Sequence, residues 1–227
     1  MSTQTPNPTC AVCPIRDTLK RRCSTADGRN PANCPTVLKP ELAAKALERY
    51  YEPENLHLAR VAGCAADDGR SLQPDGSYRP DRTRIEELVH FCRELGCSKL
   101  GLLFCMGLAS EAAIVEKILQ TNGFTVISAI CKVGSLPKAA VGLEDIRNEP
   151  ACNPILQAEL VNEAKVDFNI FMGLCIGHDT LLFKHVDAPV TVLAVKDRVL
   201  GHNPLAAIYN YDSYYTHLQR PLPAKKK

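Results

Sequence analysis

Four apolar runs, at residues 100–104, 124–130, 168–174 and 190–195, constrain the fold of this chain more than any other feature. Each is continuous in hydrophobicity instead of alternating, which is the pattern of a strand buried on both faces. Helical patterns separate them, at 110–121, 154–164 and 179–184, with a further one at 204–209. Strand and helix in alternation predict an α/β fold, a mostly parallel sheet with flanking helices.

The chain has 227 residues, 45% hydrophobic and 23% charged, close enough to average usage to build a core and to exclude wholesale disorder. A formal net charge of +2 gives no excess of basic residues, so charge-driven nucleic-acid binding is set aside. With no Trp and six Phe there is no evident stacking platform for single strands either. No apolar run is long enough to span a bilayer, and the start Met1-Ser-Thr-Gln-Thr-Pro lacks the basic and hydrophobic regions of a secretory signal. The expectation is a cytoplasmic protein with no membrane contact. Its oligomeric state is not legible.

Eleven cysteines are several times ordinary usage, and the number is odd. In a reducing compartment clustered thiols hold metal or do chemistry more often than they form disulfides. Residues 1–40 contain Cys10, Cys13, Cys23 and Cys34 in the spacing Cys-x2-Cys-x9-Cys-x10-Cys, among Pro, Arg and Asn and with almost no periodic hydrophobicity. Such a segment cannot bury a core, so metal is the expected source of its order. Four thiolates suit zinc or an iron–sulfur cluster, and Arg16, Lys20, Arg21 and Arg22 could offset their charge. Residues 41–97 read as a helical segment, with a helix entered at Pro40-Glu41, a second over 54–66 and a third after Asp81 as N-cap. Within it Cys64 and Cys92 fall where an apolar face would bury them, and Cys97 follows Gly96 with no role assigned. Residues 98–216 form the α/β domain, and 217–227, ending in three lysines, a solvated tail.

The α/β domain also suggests an internal duplication. Phe104-Cys-Met-Gly-Leu108 matches Leu174-Cys-Ile-Gly-His178, Ile130-Cys-Lys132 falls opposite Ala194-Val-Lys196, and Cys152-Asn-Pro154 matches His202-Asn-Pro204. Each Asn-Pro pair reads as an N-cap followed by Pro at the first helical position. Cys105, Cys131 and Cys175 then stand at the carboxyl ends of strands, where parallel sheets bind ligands. Cys152 and His202 precede helix starts, whose exposed N–H groups favour thiolates and anions. Cys105, Cys131, Cys152, Cys175, His178, His202, Lys132 and Lys196 are therefore expected to line one thiol-rich pocket.

The segments Lys99-Leu-Gly-Leu-Leu-Phe-Cys-Met-Gly-Leu-Ala-Ser-Glu-Ala112, Cys131-Lys-Val-Gly134, Cys152-Asn-Pro-Ile155, Gly173-Leu-Cys-Ile-Gly-His-Asp179 and Lys196-Asp-Arg-Val-Leu-Gly-His-Asn-Pro204 together resemble a family of uncharacterised bacterial and archaeal proteins. That family, domain of unknown function 1847, usually carries the label "metal-binding protein". Its N-terminal Cys-x2-Cys element is similar as well, and the resemblance covers nearly the whole chain. It implies a metal site, most naturally at Cys10, Cys13, Cys23 and Cys34, and no established reaction.

Two functions compete on these residues. One is an enzyme of redox or sulfur chemistry, acting on a small molecule or a redox partner. Its pocket thiols would hold a second metal or cluster at Cys105, Cys131, Cys152 and Cys175, or supply a nucleophile, Cys175 paired with His178. Lys132 and Lys196 would then receive an anionic substrate. The other is a non-enzymatic zinc-binding or electron-carrying interaction module. Gly-x-Gly-x-x-Gly, the Walker loop, Gly-x-Ser-x-Gly and His-Glu-x-x-His are all missing, which argues against nucleotide binding and serine or zincin hydrolysis.

Overall fold

The computed structural model describes residues 7–144 and 148–223. The first six residues, and the terminal lysines read as part of a solvated tail, lie outside them. The chain divides into two compact units, Met1–Cys64 and Ala65–Lys227, so the helical stretch read from the sequence as 41–97 belongs to both. No helix among the described residues is long and apolar enough to cross a membrane.

The first unit begins with two short 3-10 turns, Cys10–Val12 and Thr18–Lys20, followed by α1 (Pro35–Leu38) and α2 (Pro40–Tyr50). Proline opens each of these helices, where its missing N–H costs nothing, and Glu41 and Arg49 oppose the helix dipole at the two ends of α2. Helix α3 (Pro53–Asp68) runs across the boundary between the units. Among the described residues of the first unit Val61 alone is buried, so this unit has no hydrophobic core. Cys64, expected on an apolar face, is exposed on α3.

The second unit opens with a hairpin that the sequence pattern did not show, β1 (Arg70–Leu72) antiparallel to β2 (Tyr78–Pro80). Its turn is held by the Asp75 carboxylate, which accepts the Ser77 N–H at 2.9 Å. Helix α4 (Arg84–Glu94) is capped by Thr83 and not by Asp81, because the Glu86 side chain reaches back to accept the Thr83 N–H at 2.7 Å. Then follow β3 (Lys99–Phe104), α5 (Ala109–Thr121), β4 (Thr125–Ile130), α6 (Pro154–Glu163), β5 (Phe168–Leu174), α7 (Ile176–His185), β6 (Val190–Val195) and α8 (Leu205–Tyr209). Thr216–Gln219 form a further 3-10 turn where the sequence suggested only tail.

The four strands make a parallel sheet in the order β4-β3-β5-β6. Alternate residues of the central strands point to opposite faces. Leu100, Leu102, Phe168, Ile170 and Met172 meet Leu88 and Cys92 of α4 and Val115 and Leu119 of α5. Leu103 and Phe171 meet Ala158 and Val161 of α6 and Leu182 of α7. This is the expected α/β architecture, with helices on both faces. Every residue of β5 is buried, whereas the edge strand β4 is partly exposed, so a continuous apolar run marks both positions in the sheet.

The chain leaves β3 outward to β4, then returns to β5 and proceeds outward the other way to β6. The direction of winding thus reverses between β3 and β5. At such a switch point the loops after adjacent strands diverge and leave a crevice at the carboxyl edge. Of the three repeat matches, the first lands on the loops after β3 and β5. The third does not hold: the Asn153 side chain caps α6, but α8 starts after Pro204 without an Asn203 cap.

Candidate functional site

Cys105 and Cys175 follow the two strands that flank the switch point, and Cys131 follows β4 beside them. The loop that carries Cys152 is drawn in by the Asn153 N–H, which donates to the Cys131 carbonyl at 2.8 Å. From below, the buried Gln157 amide of α6 donates to Ala129 O at 2.7 Å and to Phe104 O at 3.3 Å. It joins the carboxyl ends of β3 and β4 immediately before Cys105 and Cys131. Its Oε1 is buried without a partner.

These constraints bring Cys131 beside Cys105 and Cys152. Cys131 is buried and accepts the Met106 N–H at 3.3 Å, while its own S–H is shared with Cys105 and Cys152. Burial pushes the Cys131 thiol up to about 12, and the negative fields of Cys152 and Cys105 add to the effect against the opposing Met106 N–H. Cys105 moves the other way. Its burial raises it, but the Gly107 N–H, the Lys196 ammonium and the Cys131 S–H together hold it below the ordinary thiol range. Gly107 leaves the room for this: the Lys196 Nζ lies 3.3 Å and Cys105 Sγ 4.0 Å from where a Cβ would stand.

Cys175 is the N-cap of α7, which begins three residues before the expected start at Asp179. Its sulfur accepts from Arg198 Nη2 at 3.2 Å. The negative fields of Cys175, and more weakly of Cys105 and Cys152, raise the Arg198 pKa further. Sequence reasoning missed Arg198. It stands beyond β6 in a turn with no periodic signal, built by Asp197, whose carboxylate accepts Val199 N–H at 2.9 Å and Leu200 N–H at 2.8 Å.

The remaining expected residues hold other places. His202 has φ +66°, and its Nδ1 lies 3.2 Å from the Asp197 N–H and 3.0 Å from Val195 O, so it closes the Arg198 turn instead of facing the thiols. Lys132 donates to the Pro150 carbonyl and pairs with Glu149 at 3.8 Å, tying down the loop before Cys152. His178 is lowered by burial and by the positive charges of Lys132 and Arg198, against the field of Asp179. That environment favours the neutral ring, and the hydrogen-bond partner of the Cys175 sulfur is Arg198, so a Cys175–His178 thiolate–imidazolium pair is not the arrangement found.

In the first unit Cys10, Cys13, Cys23 and Cys34 line one cavity of about 50 Å³, together with Arg21, Arg22 and Arg29. The Cys13 N–H closes the knuckle on Cys10 O at 3.2 Å. The Asn33 side chain reaches Thr9 Oγ1 at 2.6 Å, bringing the Cys10 and Cys34 ends together. The Cys23 loop is folded back by Arg22 N–H to Arg29 O at 2.8 Å and by Gly28, where a Cβ would collide with the Arg21 backbone. Of the predicted counter-charges, Arg21 and Arg22 line the cavity and Lys20 pairs with Asp17 at 3.0 Å. The donor set suits a soft metal. Among the described residues, however, no three His, Cys, Asp or Glu side chains stand close enough to hold an ion, at either thiol site.

Fold and site together define an α/β protein with a cysteine cluster at the switch point of its sheet. More particularly, the chain belongs to the family described as Protein of unknown function (DUF1847), whose model matches residues 34–193. It is 42% identical over 180 residues, 78% of this chain and 87% of the relative, to Uncharacterized protein MJ0455 of Methanocaldococcus jannaschii. No solved structure matches the chain. The family match includes Cys34 and the four sheet-edge cysteines but not Cys10, Cys13, Cys23, Lys196, Arg198 or His202. The description names no metal.

Proposed function

We propose that the protein carries out thiol exchange on small sulfur compounds at Cys105, Cys131, Cys152 and Cys175, and that Cys10, Cys13, Cys23 and Cys34 hold a thiophilic metal centre that orders the first unit. The observation that supports the first part is the placement of Cys131 beside Cys105 and Cys152, with Lys196 on Cys105 and Arg198 on Cys175, at the edge where doubly wound sheets bind ligands.

Cys105, a thiol held below the ordinary range, attacks one sulfur of a substrate R–S–S–R′. A Cys105–S–S–R bond forms, the substrate S–S bond breaks, and R′S⁻ leaves beside the Lys196 ammonium. Cys131 then gives its proton to R′S⁻ and attacks Cys105 Sγ, expelling RS⁻. The substrate has gained two electrons and the protein holds a Cys105–Cys131 disulfide. A lowered and a raised thiol pKa side by side suit these two roles, since the attacking group must ionise and the resolving group must wait. Arg198 keeps Cys175 polarised at the mouth and offers positive charge to an anionic substrate.

For the metal centre the support is the four-thiol cavity in a unit without a core. The metal, zinc or iron–sulfur, supplies cross-linking there and takes no part in the exchange. The test is anaerobic purification with metal and acid-labile sulfide analysis, followed by consumption of oxidised glutathione by the reduced protein. Cys105→Ser is expected to abolish consumption and keep the metal. Cys10→Ser with Cys13→Ser is expected to lose the metal and keep consumption. Metal retained by the N-terminal variant but lost with Cys105→Ser would replace the exchange reading with a metal or electron-carrying centre at the sheet edge.

A further inference from the structure

The two cysteines left without a role, Cys92 and Cys97, are brought together by the way α4 ends. Gly96 takes φ +80°, its N–H donates to Arg93 O at 2.9 Å, and the Cys97 N–H donates to Cys92 O at 2.9 Å. That pair of bonds is the Schellman motif. In it the residue three from the helix end and the second residue beyond it press their side chains together. Hydrophobic residues usually fill those two places. Here both are cysteine, in the run Cys92-Arg-Glu-Leu-Gly-Cys97, and the two thiols hydrogen-bond to each other.

We infer that Cys92 and Cys97 form a second exchange site, a dithiol that reduces small-molecule disulfides and closes to an intrachain disulfide. The two thiols differ in access. Cys92 is fully buried against Leu88 and Leu119, while Cys97 is only partly covered. Cys97 accepts the Cys92 S–H and is held below the ordinary thiol range by it, against its own burial and the Asp167 charge. The same bond, with burial, pushes Cys92 up. The turn is fastened by Asp167, which accepts Ser98 N–H and Lys99 N–H at 2.8 Å each.

Cys97 thiolate attacks a sulfur of R–S–S–R, forming a mixed disulfide and releasing RS⁻. Cys92 passes its proton to that thiolate and attacks Cys97 Sγ, releasing the second RS⁻. The small disulfide is reduced by two electrons and the protein dithiol is oxidised by two. The site is independent of the sheet-edge cluster. Cys97 precedes β3 and Cys105 follows it, so six strand residues, about 20 Å, separate them.

The experiment equilibrates the full chain in buffers of reduced and oxidised glutathione, blocks free thiols and maps tryptic peptides without reduction. Trypsin cuts after Arg84, Arg93 and Lys99, so residues 85–93 and 94–99 separate unless Cys92 is bonded to Cys97. The expected result is a linked 85–93/94–99 pair that grows with the oxidised fraction and disappears in Cys97→Ser. Cys92→Ala should instead trap glutathione on Cys97. Absence of the linked pair at every ratio in the wild-type chain, or glutathione on Cys92 with Cys97 free, overturns the inference. Neither readout depends on whether the sheet-edge thiols react.

Discussion

Gly173→Ala tests whether the loop that presents Cys175 has the shape described. Gly173 is the next-to-last residue of β5, at a register irregularity against β6, with φ +63°. An alanine there must enter the left-handed region, at about 1–2 kcal/mol. Its Cβ would also run into Leu108, which is 7% exposed and held at the start of α5, and overpacking of this kind costs about 1–3 kcal/mol. The sum is about 2–5 kcal/mol, or about 4–20 °C in Tm at roughly 2–4 °C per kcal/mol for a unit of this size. Gly177, four residues on, is the control: it lies in α7 with nothing within 4 Å of a Cβ. Gly177→Ala should be neutral or stabilising by about 0.5–1 kcal/mol. Urea unfolding followed by far-UV circular dichroism measures both. A Gly173→Ala change within about 0.5 kcal/mol of wild type, the range of an ordinary surface substitution, would refute the reasoning. So would equal losses at the two glycines.

Other outcomes follow from the thiol environments. Iodoacetamide should label Cys105 at a pH below that of a free thiol, whereas Cys131, at about 12, should stay protected through pH 10 in the folded chain. Because folding holds the Cys131 proton, unfolded chains release it first, so this group's contribution to stability falls as pH rises from 9 toward 12; urea midpoints across that window check the sign. Lys196→Met should slow Cys105 labelling at pH 7 by roughly 10- to 150-fold, the worth of one charge-assisted hydrogen bond, and leave Cys92 unchanged. Adding zinc or cadmium to metal-free protein should protect residues 10–38 from proteolysis, an effect lost in Cys10→Ser with Cys13→Ser, while cleavage in the second unit does not change.

The sheet was legible because burial on both faces leaves a simple trace, unbroken apolar runs, and the four strands fall within one residue of the stretches read from the sequence. The hairpin left none, since three-residue strands such as Arg70-Ser-Leu72 are too short and too exposed for a period to show. At the site, strand ends and the start of α6 were enough to place Cys131 beside Cys105 and Cys152, and Cys175 on the loop after β5. They were not enough for the charged groups. Lys132 and His202 stand at equivalent-looking places but turn to their own loops, while Arg198 reaches the sulfurs through a turn shaped by Asp197 side-chain acceptance. Where a flexible cation points is decided by local carbonyls and carboxylates, not by its distance from a strand. Cys64 shows the same limit for helices: α3 carries Cys64 on its exposed side, and the apolar stripe that justified burying it is too weak to fix which side that is. The Cys92–Cys97 pair was missed as well: the Cys-x4-Cys spacing with Gly before the second cysteine was present, but Cys92 was read only as core and Cys97 was given no role.

The most direct test of the account is cross-linking of the reduced protein by dibromobimane, which joins two thiols only when they lie within one small ring of each other, with the joined peptides identified by mass spectrometry. The account predicts a Cys105–Cys131 bridge as the main sheet-edge product, with Cys131–Cys152 as the second. Cysteines labelled singly at all four positions, or bridged only to cysteines outside this group, would contradict it.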